Sequence, residues 1–326
     1  MKHVNVGTSG LQVSEVTLGC MSFGDPDRGA HGWTLPEPES REIIKAALEQ
    51  GVTTFDTANI YSLGRSEEIV GRAITDFANR EDVVIASKVH GTMRPGPNGG
   101  GLSRGHIMEQ IDASLRRLGT DYLDLYQIHR FDSEVPIEET LEALHDVVKS
   151  GKVRYLGASS MYGWQFAKLQ YTARLNGWTP FISMQAQYNL LNREDEREMY
   201  PFCLDQGVGA LPWSPLARGK LARDWDASSS RFDSDPLFPT LYKQFEVHDR
   251  KIVDAVAAIA REREVSRAQI ALAWVRSQPV VSSPIVGATR LSHLDHAVAS
   301  TALQLSESEL ARLEEHYVPH AVEGFA

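Results

Sequence analysis

Four side chains in this sequence have the types that move a proton to or from an oxygen: Asp56, Tyr61, Lys88 and His129. Asp56 closes the run Thr53-Thr54-Phe55-Asp56, Lys88 closes Val83–Lys88, and His129 closes Leu123–His129. Tyr61 follows Asp56 in the same loop. An aspartate and a lysine brought together at such strand ends pair, because an isolated charge is costly to bury. A tyrosine beside that lysine is expected to have its pKa lowered, since the ammonium favours phenolate. Such a tyrosine suits general acid catalysis near neutral pH, with His129 orienting a carbonyl oxygen. Taken singly, the Asp and Lys read as a structural ion pair and the Tyr and His as packed residues with satisfied polar tips. Four together at four such positions point to a site.

The elements that must hold them recur along the chain. Eight β-prone runs occur: Val16–Gly19, Thr53–Asp56, Val83–Val89, Leu123–His129, Val153–Ser159, Phe181–Gln187, Val208–Trp213 and Pro284–Gly287. Most are continuously apolar, as strands buried on both faces are. Helical spacing fills the gaps. It follows Pro36 through Ile43/Ala47 and Ile44/Leu48 to Gly51. It runs from Ser103 through Ile107, Ile111, Leu115 and Leu118 to Gly119, and from Pro136 through Leu141, Leu144 and Val148 to Gly151. Further helices are predicted over 161–176, 192–205, 248–263, 266–277 and 306–316, and one passes through His293 and His296.

Strand and helix alternate throughout, which implies a parallel sheet with crossover helices, and eight strands close naturally into a barrel. The expected fold is α/β, a (β/α)₈ TIM barrel forming a single domain over 1–326, with active residues at the C-terminal strand ends. Thr8-Ser9-Gly10 predicts an N-terminal β-hairpin within 1–14 that covers the opposite end. Residues 91–102, with five glycines and two prolines, and residues 222–245, rich in Asp, Ser and aromatics, read as long loops on the catalytic face. The second is expected to close over a bound cofactor, packing Phe232, Leu237, Phe238 and Tyr242.

Composition removes several classes of function. The chain has 326 residues, 42% hydrophobic and 23% charged, enough apolar mass for a large core. Its net charge of −10 argues against a nucleic-acid binder, which needs a basic footprint. Cys20 and Cys203 are too few for a disulfide framework. No apolar run suits a secretory signal or a membrane span, so no membrane association and a cytoplasmic location are expected. A Rossmann fingerprint is missing, because Pro212 follows Gly207-Val208-Gly209 where a third glycine belongs. Gly219-Lys220-Leu221 is no P-loop. His293 and His296 lack the further ligands a metal site requires, and no metal is expected.

The combined motifs resemble those of the aldo-keto reductase family. They are Phe55-Asp56-Thr57-Ala58-Asn59-Ile60-Tyr61, Ser66-Glu67-Glu68-Ile69-Val70-Gly71, Ser87-Lys88, Asp121–His129, Gly151–Ser159 and Trp213-Ser214-Pro215-Leu216-Ala217-Arg218-Gly219. The resemblance covers nearly the whole chain. It is nearest to the branch of microbial and plant reductases and aryl-alcohol dehydrogenases that includes the potassium-channel β subunits. It implies a barrel that reduces aldehydes or ketones with NADP(H), and a catalytic tetrad of Asp56, Tyr61, Lys88 and His129.

The resemblance also implies cofactor contacts. Ser159, Ser160 and Gln185 would hold the nicotinamide carboxamide, although the family usually has Asn where Ser160 stands. Trp213 either stacks on the nicotinamide or packs the core. Ser214, Leu216 and Gly219 would cradle the pyrophosphate, and Gly19, Met21, Asp56 and Arg218 are further expected cofactor contacts. Gly287, Thr289, Arg290 and His293 follow the last strand, where barrels bind phosphate, and Arg290 is either a 2′-phosphate ligand or a surface arginine. His296 and Ala297 stand where relatives carry Glu-Asn. Trp33, His90, Arg130, Tyr61 and His129 are the expected substrate contacts; the aromatic groups suit a flat carbonyl compound, and Arg130 an anionic one. The expected partner is thus a small-molecule carbonyl substrate, on a monomer or homo-oligomer. Two rivals are a regulatory NADP(H)-binding subunit with little turnover, like the channel β subunits, and a cofactor-free isomerase or lyase acting on sugar phosphates.

Overall fold

The first fourteen residues form an antiparallel ribbon of β1 (His3–Asn5) and β2 (Gln12–Ser14), with Val4 opposite Val13. Its turn reaches the start of a barrel strand, where Thr8 N donates to Gly207 O at 2.9 Å. Ser14 N donates to Thr54 Oγ1 at 3.0 Å, again at a strand start. Val6, Leu11 and Val13 pack against Ala86, Leu125, Leu211 and Ile285, so the ribbon plugs the N-terminal end of the barrel. The structure, a computed structural model, describes residues 1–29, 32–227 and 246–321.

Eight parallel strands follow: β3 (Thr17–Gly19), β4 (Thr54–Asp56), β5 (Val84–Val89), β6 (Leu123–Ile128), β7 (Val153–Ser159), β8 (Phe181–Gln185), β9 (Gly209–Ala210) and β10 (Ile285–Gly287). Their spatial order is β10-β3-β4-β5-β6-β7-β8-β9. The ends meet where Ala210 N donates to Val280 O and Ile285 N to Pro212 O, each at 2.8 Å. Around them lie α1 (Glu37–Glu49), α2 (Arg65–Phe77), α3 (Arg104–Leu118), α4 (Ile137–Lys149), α5 (Gly163–Leu175) and α6 (Met199–Gln206). After β9 come α7 (Glu246–Glu262) and α8 (Arg267–Arg276), and after β10 come α9 (Leu291–Ala299) and α10 (Glu307–Glu314). Ser103 caps α3 as its sequence suggests, its Oγ accepting from His106 N, and the structure adds capping boxes of Ser266 with Gln269 and Ser306 with Glu309. The (β/α)₈ fold and its N-terminal hairpin are as the alternation predicts. Among the described residues, no helix is long and apolar enough to cross a membrane.

Four details differ from expectation. The run expected over Val208–Trp213 is a strand only at Gly209–Ala210, since Pro212 has no N–H for the ladder. β8 stops at Gln185, with Gln187 keeping only an isolated bridge to Trp213. The helix expected over 192–205 is a single tight turn at Glu194–Glu196 followed by α6. No helix is expected over Arg65–Phe77, yet α2 fills it. Its buried face mixes Ser66, Glu67 and Gly71 with Ile69, Val70, Ala73 and Ile74, which blurs the apolar stripe. A Cβ on Gly71 would lie 2.6 Å from the Leu118 carbonyl carbon, so glycine is what lets α2 touch α3. Of the loop expected to act as a lid, residues 228–245, with Phe232, Leu237, Phe238 and Tyr242, lie outside the described residues.

The ribbon plug makes a prediction about stability. Leu11→Ala removes a buried side chain from this cluster and should cost about 2–5 kcal/mol. Denaturant unfolding measures the loss; an unchanged midpoint would show that the plug contributes nothing.

Candidate active site

β4 and β5 end side by side, with Asp56 opposite Ala86, and this brings Asp56 and Lys88 together at the C-terminal mouth. Lys88 is fully buried, and all three of its ammonium protons have acceptors. Nζ donates to Asp56 Oδ1 at 2.5 Å, to Thr57 O at 2.9 Å and to Tyr61 Oη at 3.1 Å. It also lies 4.7 Å from the centre of the Tyr61 ring. The second Asp56 oxygen accepts from Gln127 Nε2 and Gln185 Nε2, both at 2.9 Å. Gln185 gives its other amide proton to Gln127 Oε1 at 3.0 Å.

The barrel leaves room for this network at one position. Gln127 faces Gly157 in the β6–β7 register, and a Cβ on Gly157 would lie 2.9 Å from Gln127 Cγ. A larger residue there would push Gln127 away from Asp56. Behind the floor, buried Glu67 accepts from Ser87 Oγ at 2.5 Å and from Arg117 Nε at 2.6 Å, which braces the strand residue before Lys88.

Tyr61 and His129 stand above Lys88, edge to face, with ring centroids 5.7 Å apart. Burial pulls the Lys88 ammonium down, but Asp56 and Tyr61 outweigh it and hold the pKa above its usual value. The expected lowering of Tyr61 is corrected. Burial raises the phenol above the ordinary 10.0, and the opposing pull of Lys88 does not overcome it, so the phenol is neutral. Burial, then the charges of Lys88, Arg130 and His90, push His129 well below 6.5. A neutral phenol and a neutral imidazole thus converge over a fixed cation. That arrangement can donate two hydrogen bonds to one oxygen and stabilise the phenolate left after proton transfer.

A second chain of bonds lines the neighbouring strand ends. Trp213 Nε1 donates to Ser160 Oγ at 3.1 Å, Ser160 Oγ lies 3.2 Å from Ser159 Oγ, and Ser159 Oγ donates to Gln185 O at 2.8 Å. With the Ser159 proton spent on Gln185, Ser160 is the donor between the serines. Both hydroxyls therefore keep lone pairs for an incoming N–H. Beyond Trp213, Ser214, Ala217, Arg218 and Gly219 have φ of 57°, 47°, 53° and 96°. Left-handed residues in so short a span turn backbone N–H groups into a concave nest that suits an anion. Asn189 Nδ2 holds Ser214 O at 3.0 Å, and Arg223 Nε holds Gly219 O at 3.1 Å.

The remaining expected residues sit around the same mouth. Gly19 lies in register with both Asp56 and Gly287, and Met21 is in the tight turn after β3. Arg290 is exposed at the N-cap of α9, and Thr289 N donates to His293 Nδ1 at 3.4 Å. His90 follows β5 with φ 148°. Arg130 follows His129 and donates to its carbonyl at 2.8 Å. Trp33 is half-buried in the loop after β3. Gln127 was not among the expected site residues. Its signal was a polar residue two positions before His129, on the same strand face.

Comparison with known proteins agrees with this geometry. The family model described as "Aldo/keto reductase family" matches residues 15–318. The chain is 46% identical to versiconal hemiacetal acetate reductase of Aspergillus parasiticus, covering 99% of this chain and 98% of the other. It is 44% identical to a putative aryl-alcohol dehydrogenase of Schizosaccharomyces pombe, over 98% and 96% of the two chains. It is 43% identical to an aldo-keto reductase of Alternaria alternata, over 98% and 92%.

The floor network predicts a thermodynamic signature. Lys88→Met strands the buried Asp56 carboxylate and should cost about 3–5 kcal/mol. Adding Asp56→Asn should recover part of that loss. A double mutant less stable than Lys88→Met alone, measured by denaturant unfolding, would show that the two groups are not coupled.

Proposed function

The chain belongs to the aldo/keto reductase family, and from that premise we propose that it reduces aldehydes or ketones to alcohols with NADPH, with Tyr61 as the general acid. It is an oxidoreductase that acts on small-molecule carbonyl compounds. The observation that carries the finer reading is the single buried ammonium of Lys88 bonded at once to Asp56, Thr57 and Tyr61. The regulatory rival gains no support from these relatives, whose names describe reductases and dehydrogenases.

The residues fit a nicotinamide dinucleotide. Trp213 offers an aromatic face, while Ser159, Ser160 and Gln185 Oε1 offer acceptors to a carboxamide N–H₂. The nest at Ser214–Gly219, with Leu216 and Arg218, suits a pyrophosphate. Arg290 joins the N-terminus of α9, where a cation and a helix dipole together suit a 2′-phosphate, with Gly287, Thr289 and His293 beside it. When bound, the reduced nicotinamide supplies the hydride.

This chain's own residues then handle the oxygen. His129 and Tyr61 donate hydrogen bonds to the carbonyl oxygen, which fixes its position and draws electron density from the carbon. As that oxygen gains charge, the Tyr61 phenol gives it the proton. Lys88 stabilises the phenolate that remains, and Asp56 with Gln127 and Gln185 keeps the ammonium in place. In the reverse oxidation the phenolate takes the proton back.

Three outcomes follow. Tyr61→Phe should lower carbonyl reduction about 10²–10⁴-fold while cofactor binding, followed by fluorescence titration, is retained; near-normal turnover would remove Tyr61 from the mechanism. Because His129 is neutral far below pH 6.5 and Tyr61 ionises above 10.0, kcat/KM for reduction should be flat from about pH 7 to about pH 9. An inflection from either group inside that range would contradict the assignment. Arg290→Ala should weaken NADPH about tenfold or more and leave NADH unaffected; equal weakening of both would refute a 2′-phosphate contact.

A further inference from the structure

Beside the reacting centre stands a cation that meets no anion among the described residues. Arg130 is half-buried on the loop after β6, next to His129. Its Nη1 donates to the His129 carbonyl at 2.8 Å, which folds the guanidinium back against the strand end. Arg80, Arg117, Arg193 and Arg276 are similarly half-buried, and each meets a carboxylate, those of Asp124, Glu67, Glu196 and Glu15. Among the described residues Arg130 makes no such pair, and burial lowers its pKa. Asp132, two residues on, is turned elsewhere: its oxygens accept from Leu102 N at 2.8 Å and Glu134 N at 2.9 Å. A half-buried guanidinium with free N–H groups is costly to hold unless something anionic arrives to use it.

Next along the chain a half-buried phenylalanine stands against an exposed tryptophan. Phe131 follows Arg130, and its ring lies 6.2 Å from that of Trp164 in the first turn of α5. Trp164 is 60% exposed and Tyr162 is 45% exposed, among the largest apolar surfaces left open in the described residues. Both loops rise from the strand ends that carry His129 and Ser159. An open aromatic ledge on the rim of a site marks a surface meant to be covered by a ligand.

We propose that Arg130 and the Phe131–Trp164 ledge form a specificity site for flat aromatic carbonyl compounds that carry an anionic oxygen group. The ring lies along the ledge, and its carboxylate or equivalent oxygens meet the Arg130 guanidinium while the carbonyl reaches Tyr61 and His129. This inference rests on the carbonyl-reductase reading and narrows its substrate class.

The test compares 3- and 4-carboxybenzaldehyde with their methyl esters as substrates for reduction by NADPH. Acid and ester share the ring and the aldehyde, and differ in charge. In the wild-type chain kcat/KM for the better acid should exceed that of its ester by about 10- to 100-fold, mostly through KM, as a charge-assisted contact would give. The acid's advantage should shrink as ionic strength rises from about 0.02 to about 0.5 M, while the ester shows no such trend. In Arg130→Gln the acid-to-ester ratio should fall towards one; the ratio is taken within one variant, so general damage cancels. Arg130→Lys should retain part of the preference, because the charge stays and the planar fork is lost. Reduction of acids and esters without discrimination, or a preference that survives in Arg130→Gln, would overturn this inference and leave the reductase reading standing. Failure to reduce any of the four compounds would overturn this inference, and only failure with aliphatic aldehydes and ketones as well would overturn the reductase reading.

Discussion

A fully buried ammonium is the constraint from which the rest of this site follows. Lys88 could not be left charged in the barrel mouth without acceptors for all three protons. Asp56, the Thr57 carbonyl and the Tyr61 hydroxyl supply them. Asp56 then requires donors for its second oxygen, and Gln127 and Gln185 reach it across the barrel. That reach in turn requires the missing side chain at Gly157. A single charge thus fixes residues on five consecutive strands, from β4 to β8. The N-terminal ribbon closes the far end with Val6, Leu11 and Val13, so the polar floor lies above an apolar plug.

Gln185 links the two halves of the site. Its side chain belongs to the polar floor beneath Tyr61, through Asp56 and Gln127. Its carbonyl accepts from Ser159 Oγ and Ser160 N, which places it in the bonded chain that ends on the Trp213 indole. One residue therefore links the proposed cofactor side to the carboxylate that holds Lys88. The same arrangement explains the Tyr61 correction. Proximity to a cation argued for a lowered phenol, but a cation shared with a carboxylate exerts little net field, and burial decides the direction.

Much of this was legible in the sequence because parallel barrels use long apolar strands whose last residue faces the mouth. Asp56, Lys88 and His129 stood out as polar ends of apolar runs, and Ser103 marked the start of a helix. What escaped had a physical reason in each case. α2 carries buried Glu67 and Ser66, whose partners Arg117, Ser87 and Thr57 come from elsewhere in the chain, so local periodicity cannot reveal its buried face. Gln127 sits inside a strand and takes its meaning from Asp56, seventy-one residues away. The short β9 depends on Pro212, whose lost N–H was visible but whose strand neighbours were not. Arg130 was visible as a charge, but that it meets no carboxylate among the described residues is a property of the folded chain.

The most direct test of the account is the titration of Tyr61 itself. Chains labelled with ¹³C at tyrosine Cζ, with the Tyr61 resonance assigned by Tyr61→Phe, report the ionisation of this phenol without any substrate. The account predicts a midpoint above the ordinary 10.0 in the wild-type chain, and a further upward shift in Lys88→Met, where the opposing cation is gone. A midpoint at or below 10.0, or one that Lys88→Met leaves in place, would contradict the claim that a buried Lys88 holds a neutral, proton-donating Tyr61.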